Sequence, residues 1–396
     1  MGRRLTKIIE RIEKSLVKVI QEPGADQNQP WPMRILLAFA ALVSGVFGLC
    51  SRLRLLLYRI HVLNSSTLVC KVISVGNLTA GGTGKTPVVE CLARELQRRG
   101  RRVAILSRGY RKKEVSWFRR AFFGNLTPPR VVSDGKRVLL DSEMGGDEPY
   151  MLANNLNGVA VVVDKNRVKA GRHAVEQFQC DTLLLDDGFQ YLKLRRSLEI
   201  ALVDAGNPFG NGRLLPRGVL REPARNIRRA DFVFITKSPG GSAALREKIN
   251  ALKPGAEIVE CNHAPRRLTH AYTGEHLPLT WLNGKKILAL SGIASPKGFE
   301  NFCRGYGATL GRVKRFADHH RYTADEILGA INDAADAGLD ALVTTEKDAV
   351  RFPRLQSTAI PVCYLRVEIE IISGADVFER VLRRVCEKTP RDPATP

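Results

Sequence analysis

The chain has no CxxC pair and no His/Cys cluster at zinc spacing. Its eight cysteines, Cys50, Cys70, Cys91, Cys180, Cys261, Cys303, Cys363 and Cys386, therefore read as scattered core thiols of a reducing compartment, with no structural metal and no disulfides expected. Acid is also short: 40 Asp and Glu stand against 62 Lys and Arg, a net charge of +22 that draws the molecule to nucleic acid, an acidic membrane face or a phosphorylated substrate. Charge alone does not choose among these. Long charge-free runs are short too, since Ile35 to Ser51 extends over 17 residues. As a helix that is roughly 25 Å, less than the ~30 Å hydrocarbon core. The run starts too far in for a signal peptide, and Phe47-Gly48-Leu49 before Cys50 makes a poor lipoprotein cleavage site. At 396 residues and 44% hydrophobic, two or three domains with full cores are expected.

Two apolar segments precede the body. Leu5, Ile8, Ile9, Ile12, Leu16, Val19 and Ile20 share one face of a basic amphipathic helix carrying Lys7, Arg11, Lys14 and Lys18, either packed on the body or lying on anionic lipid. The charge-free run has Arg34 before it and Arg52, Arg54 and Arg59 after it, so the asymmetry that orients a spanning helix is missing. A helix sunk in one leaflet fits better than a clean span, with a buried core helix as the alternative.

The β-branched run Leu68 to Val75 leads into a glycine-rich turn and then a helical pattern through Val88, Leu92 and Leu96. Strand, turn and helix are the context that makes a phosphate-binding loop credible, because loop amides and the helix N-terminus face the anion together. The loop is Thr79, Ala80, Gly81, Gly82, Thr83, Gly84, Lys85 and Thr86, with Thr79 where the general motif has Gly. Its glycines let the backbone wrap phosphates, Lys85 offsets their charge and the Thr86 hydroxyl is placed for Mg²⁺. Further on, an apolar strand ends in Asp186-Asp187, the form of an element that gives carboxylate to that ion. Strands at 102–106, 158–163, 199–203 and 231–236 continue a mostly parallel α/β sheet with its ligands at the C-terminal strand ends. Thr236-Lys237-Ser238-Pro239 lacks the Asp that holds guanine, so ATP is the expected nucleotide.

Three more segments carry polar residues that a core would not need. Gly145-Gly146-Asp147-Glu148-Pro149 opens a helix, in which Asp147 serves either as an N-cap or in chemistry. The loop from Asn211 to Pro223 bears Arg213, Arg217 and Arg221, with a solvated basic surface as the bland reading. His319 and His320, beside Asp318 and Arg321, precede a capping box at Thr323; an imidazole bonded to a carboxylate is a usual way to build a base for a hydroxyl proton.

Taken in order, SVGNLTAGGTGKTP from Ser74, SRGY from Ser107, GGDEP from Gly145, LDDGFQ from Leu185, GNG from Gly210, LREP from Leu220, ITK from Ile235, ADHHRY from Ala317 and TTEKDAV from Thr344 resemble the tetraacyldisaccharide 4'-kinases, the lipid A 4'-kinases of Gram-negative bacteria. The resemblance covers roughly residues 31 to 352, and Thr79 belongs to that family's loop. Tyr191 stands where the family often has His, and Arg217 where it often has Ala. The resemblance implies γ-phosphoryl transfer from ATP to the 4'-hydroxyl of a tetraacylated glucosamine disaccharide 1-phosphate at the cytoplasmic face of the inner membrane. It implies a catalytic Asp147 assisted by His319, and Mg²⁺ near Thr86, Asp186, Asp187 and Glu222. Neither nucleic acid nor an obligate protein partner is expected. The rivals are a P-loop ATPase acting on nucleic acid and a membrane-bound nucleotide-sensing adaptor.

The expected organisation is an extension with the basic helix (1–30), a membrane-associating helical segment (31–66), a P-loop kinase domain (67–230) and a smaller α/β domain (231–390). His319 falls in the last of these, Lys85 and Asp147 in the one before.

Overall fold

The structure is a computed structural model that describes residues 19, 20, 22, 24, 30–109 and 127–387. The amphipathic helix expected from Leu5, apart from Val19 and Ile20, and Tyr110 of the SRGY motif lie outside the described residues. In chain order the elements are α1 (Trp31–Arg59), β1 (Lys71–Asn77), α2 (Lys85–Arg98), β2 (Val103–Ser107), β3 (Arg130–Asp134), α3 (Ser142–Gly145), α4 (Asp147–Asn155), β4 (Ala160–Val163), α5 (Arg167–Phe178), β5 (Thr182–Asp186), β6 (Leu198–Asp204) and β7 (Phe232–Thr236). After these come α6 (Ala243–Leu252), β8 (Glu257–His270), β9 (His276–Leu277), β10 (Lys286–Ser291), α7 (Pro296–Gly305), β11 (Thr309–Arg315), α8 (Ala324–Asp336), β12 (Ala341–Thr345), α9 (Glu346–Ala349), β13 (Val362–Ser373) and α10 (Ala375–Cys386).

By contacts the chain divides into two compact units, each drawn from separate stretches: 1–88, 181–262 and 371–396 in the first, 89–180 and 263–370 in the second. Asp147 and His319 thus belong to one unit and Lys85 to the other. The expected α/β class and largely parallel pairing are present in both.

In the first unit, β7, β6, β1 and β5 are successive parallel neighbours, with β8 beside β7. Every residue of β1 and β5 is buried, as parallel strands covered on both faces require. Parallel pairing sends Asn77, Asp186, Asp204 and Thr236 to the same sheet edge, where ligands of such sheets bind. The core beneath joins Leu78, Phe189, Phe209, Leu220 and Ile235.

Helix α1 corrects the length argument. Pro30 caps it, a proline sits in its first turn, and it runs 29 residues, so the charge-free stretch lies inside a helix of roughly 43 Å. By length and composition it is able to cross a membrane, with mean hydropathy 2.1 over its most apolar window and 22% of that window buried. Only Met33, Leu37, Ser44 and Gly48 are buried, at spacings that form one stripe, and Leu37 and Met33 pack with Val19. Ile35, Phe39, Leu42 and Val46 face outward, as does Cys50, which is therefore not a core thiol.

In the second unit β11, β10, β12 and β13 are parallel, β2 pairs parallel with β4, and β3 is antiparallel to β4. Strand β11 escapes a hydrophobic-pattern reading because it is a largely exposed edge bearing Arg312, Lys314 and Arg315, the sort of charge that blunts an edge. The capping box at Thr323 and Glu326 forms as read from the sequence.

Candidate active site

In the first unit the phosphate loop is pinned from several sides. Lys85, first residue of α2, points its Nζ to Asn77 Oδ1 (3.2 Å) and lies 3.5 Å from Asp187 Oδ1, so the loop lysine and the double acid come together. Arg221 Nη1 donates to both oxygens of Asp187 at 2.9 Å. Asn77 donates to Thr79 Oγ1, and Gln190 donates to the Asn77 carbonyl. Gly81 and Gly84 take φ of 119° and 75°, and Asp187 itself takes 54°, a left-handed conformation uncommon for a residue with a side chain and worth reading as functional. Gly188 must be glycine, since a Cβ there would lie 2.5 Å from Ser74 Oγ.

The ITK element braces the loop, a role not visible in the sequence. Thr236 Oγ1 donates to the Thr83 carbonyl (2.7 Å), and Lys237 Nζ donates to the Gly82 carbonyl (2.5 Å) and to Asp204 Oδ2 (2.6 Å). The basic loop is not merely solvated: Arg217 is buried and Arg221 is engaged on Asp187, while Thr79 bridges to Leu220 and Ala80 N–H donates to the Val219 carbonyl. Buried Glu222 is held by Arg229 Nη1 (2.9 Å) and Asn226 Nδ2 (2.7 Å), both on its Oε2. On β6, Glu199 sits opposite Ser74 of β1; burial pushes its carboxyl up to about 7, against the pull of Arg196 at 2.5 Å.

The residues expected near Mg²⁺ from the sequence supply a hydroxyl, Thr86, and the carboxylates Asp186, Asp187 and Glu222. Among the described residues no three His, Cys, Asp or Glu gather around a metal position.

In the second unit Asp147 and His319, 172 residues apart, meet: Nδ1 of the ring lies 3.4 Å from Asp147 Oδ2. Asp147 is not an N-cap. Gly146 (φ 96°) takes that position with no side-chain cap, and the Asp147 carboxylate turns instead to His319 and to Arg321, whose Nη2 donates to Oδ1 at 2.9 Å. Gly145 keeps α3 close to β3, because a Cβ there would meet Val132 at 2.9 Å. His319 is left-handed, φ 62°, with its N–H on the Gly292 carbonyl. The two histidines divide: His320 stacks on Phe316 and reaches Glu326 at 3.0 Å, a structural placement. A small surface cleft is lined by Asp147, Glu148, Met151, Asp318, His319, Lys347 and Arg351. Lys347 lies in the TTEKDAV motif and Arg351 just past it; the pairing of Lys347 with Glu148 (3.1 Å) and the approach of Arg351 to Asp147 (3.8 Å) have no linear signal.

Comparisons with known proteins give one answer. The profile of the family described as "Tetraacyldisaccharide-1-P 4'-kinase" (LpxK) matches residues 35–387. The tetraacyldisaccharide 4'-kinase of Anaeromyxobacter dehalogenans (strain 2CP-C) is 40% identical over 90% of this chain and 93% of its own length, and that of Geobacter sulfurreducens is 41% identical over 86% and 92%. The crystal structure of LpxK from Aquifex aeolicus in complex with ATP superposes with a TM-score of 0.69 at 28% identity, covering 88% of this chain and 99% of that one. The chain belongs to the tetraacyldisaccharide-1-P 4'-kinase family, and of the kinase, the nucleic-acid ATPase and the adaptor, it is the kinase.

Proposed function

We propose that the chain transfers the γ-phosphoryl group of ATP to the 4'-hydroxyl of a tetraacylated glucosamine disaccharide 1-phosphate, giving lipid IVA, at the cytoplasmic face of the bacterial inner membrane. The observation that carries the assignment of roles is the meeting of Asp147 and His319 beside Arg321. The acceptor hydroxyl gives its proton to the Asp147 carboxylate, with the His319 ring holding that carboxylate and sharing the proton. The hydroxyl oxygen bonds to the γ-phosphorus as the bond to the β-phosphate breaks, and ADP leaves. Phosphoryl transfer is loose and demands positioning and charge stabilisation more than covalent chemistry. Loop amides from Thr79 to Thr86 cradle the phosphates, and the Lys85 ammonium meets the charge that builds on the transferred group.

Thr86, Asp186 and Asp187 would hold Mg²⁺; Glu222, already engaged by Arg229 and Asn226, would join them by orienting that segment. Bound Mg²⁺ supplies positive charge to the phosphate oxygens. Helix α1 places its outward apolar stripe in the lipid, with Arg34 and Arg52 at the anionic headgroups, each contributing about 1 kcal/mol. Arg54 is turned instead to the Gln190 carbonyl (3.0 Å). No nucleic acid and no second protein enter the reaction.

The test is to incubate purified protein with γ-labelled ATP, Mg²⁺ and a total bacterial lipid extract. Label should enter one lipid, at the 4'-phosphate of the acylated disaccharide. Label in a different lipid, or ATP hydrolysis that depends on added DNA, would overturn the assignment.

A further inference from the structure

One buried ion pair in the second unit has no part in the reaction described above. Asp348 is fully enclosed: its Oδ1 accepts from the Tyr322 hydroxyl (2.8 Å), the Gly292 N–H (3.0 Å) and Arg351 Nη2 (2.8 Å), and its Oδ2 from Thr345 Oγ1 (2.6 Å). Burial, with Asp348 beside it, pushes the Tyr322 hydroxyl well above its usual range, so it remains a donor. Arg351, also buried, donates through Nε to the Lys347 carbonyl (2.8 Å), through Nη1 to the His320 carbonyl (3.1 Å) and through Nη2 to the Gly292 carbonyl (3.3 Å). Its Nε lies 3.8 Å from Asp147 Oδ2, the same oxygen that His319 Nδ1 approaches. These lines converge on Gly292, whose carbonyl also takes the His319 N–H at 3.2 Å. Its hydrogen is required, because a Cβ would lie 2.7 Å from the Tyr322 oxygen and 3.0 Å from Asp348 Oδ1.

Removing two charges from water is expensive, and apolar residues of similar volume often stabilise a fold as well or better. This pair does something that apolar packing would not. The planar guanidinium fixes the backbone on both sides of the contact, at Gly292 and at His320, while His319 between them is held left-handed with its ring on Asp147. We propose that Asp348 and Arg351 are positioning residues for phosphoryl transfer, which set the His319 ring and the Asp147 carboxylate in register. This role rests on Asp147 and His319 taking the acceptor proton.

The experiment uses the full chain with ATP and the tetraacyl disaccharide 1-phosphate, comparing Arg351→Lys, Tyr322→Phe, Asp147→Asn and the double variant Arg351→Lys with Asp147→Asn. A misplacement of about 1 Å costs roughly 10²-fold in rate. Arg351→Lys should therefore lose on the order of 10²-fold in kcat, with both KM values and the melting temperature held close to the parent's. Tyr322→Phe keeps its ring contacts with Phe316 and Phe352 and loses only one donor to Asp348, so a smaller fall in kcat of the same kind is expected. Once the base is gone, Arg351→Lys should add almost nothing to the loss in Asp147→Asn. Full kcat in Arg351→Lys and Tyr322→Phe while Asp147→Asn is crippled overturns the positioning role alone. Full kcat in Asp147→Asn overturns the base assignment and this role with it. A loss in the double variant equal to the product of the single losses shows that Arg351 acts apart from Asp147, and overturns it too. Should Arg351→Lys fail to fold, Tyr322→Phe decides by the same comparison.

Discussion

Replacing Lys85 with Ala separates catalysis from fold, because both of its partners keep other bonds. Its two partners are Asn77 Oδ1 at 3.2 Å and Asp187 Oδ1 at 3.5 Å. After the substitution Asp187 still receives Arg221 on both oxygens, and buried Asn77 still donates to Thr79 and still has its carbonyl bonded by Gln190. The structural loss is one hydrogen bond and one partly exposed pair, about 1 kcal/mol together, which for a chain of 396 residues is a fall of roughly 1 °C in melting temperature. The kinetic loss is larger. Withdrawing one preorganised donor from a developing anion costs about 3–4 kcal/mol, or roughly 10²–10³ in kcat. The assay is initial-rate phosphorylation of the acylated disaccharide at saturating ATP, beside a thermal melt of the same preparation. A folded variant that keeps a rate near the parent's would refute the role given to Lys85 in the phosphate loop.

Asp147→Asn and His319→Ala should each suppress kcat with ATP affinity kept, and the double variant should lose far less than the product of the two, because they act on one proton; fully multiplied losses in a kinetic cycle would show separate roles. Changing the exposed residues Ile35, Phe39, Leu42 and Val46 to Ser should release much of the protein from anionic vesicles in co-sedimentation at two salt concentrations; undiminished sedimentation would place the anchor elsewhere. Leu37 is left alone because it packs with Val19 and Met33. Stability should fall as pH rises from about 4.5 to about 7, because the unfolded chain releases the Glu199 proton over that range while the folded chain, with its carboxyl raised to about 7, retains it. The contribution is complete below pH ~4.5 and lost above pH ~7, about 3 kcal/mol in all. Glu199→Gln should flatten this slope in urea melts, and an equal slope in the variant would place the titrating group elsewhere.

The first unit's site was legible because a phosphate loop is local: strand, glycines, lysine and helix follow one another within Lys71 to Arg98, and each residue type has its own mechanical reason. The double acid after β5 was legible for the same reason, as a run ending at a strand tip. What escaped was the bracing by distant side chains, such as Lys237 on the Gly82 carbonyl and Arg221 on Asp187. The second site was legible in part: the acid opening a helix and the adjacent histidines beside Asp318 marked candidate bases, but only the family resemblance paired Asp147 with His319. Nothing in the spacing of Asp147, His319 and Arg351 brings them together, and an acid at a helix start is more often a cap. The structure rejects that reading through one backbone detail: Gly146 occupies the capping position and frees the Asp147 carboxylate for the cleft. Composition misled most where burial depends on the partner, as at Arg217, which is buried in a loop that reads as solvated.

Helix α1 reads in the sequence as an anchor attached to a kinase, yet the folded unit makes it part of the nucleotide site's support. Ser44 Oγ donates to the Leu214 carbonyl (2.8 Å) and accepts from Arg217 N–H (3.0 Å), while Gly48 lies so close that a Cβ would sit 2.7 Å from Leu214. Leu214 bridges to Leu220, Leu220 bridges to Thr79 of the phosphate loop, and the next residue, Arg221, holds Asp187. A second line runs from Arg54 to the Gln190 carbonyl and from the Gln190 amide to the carbonyl of Asn77. Both lines leave the helix from its inward stripe or its charged end, and neither uses Ile35, Phe39, Leu42 or Val46. The residues that support the loop are thus different from the outward apolar ones for which lipid contact is proposed. This is why an apolar helix of 29 residues carries a serine and a glycine at its buried positions, where a helix serving only as an anchor would need neither.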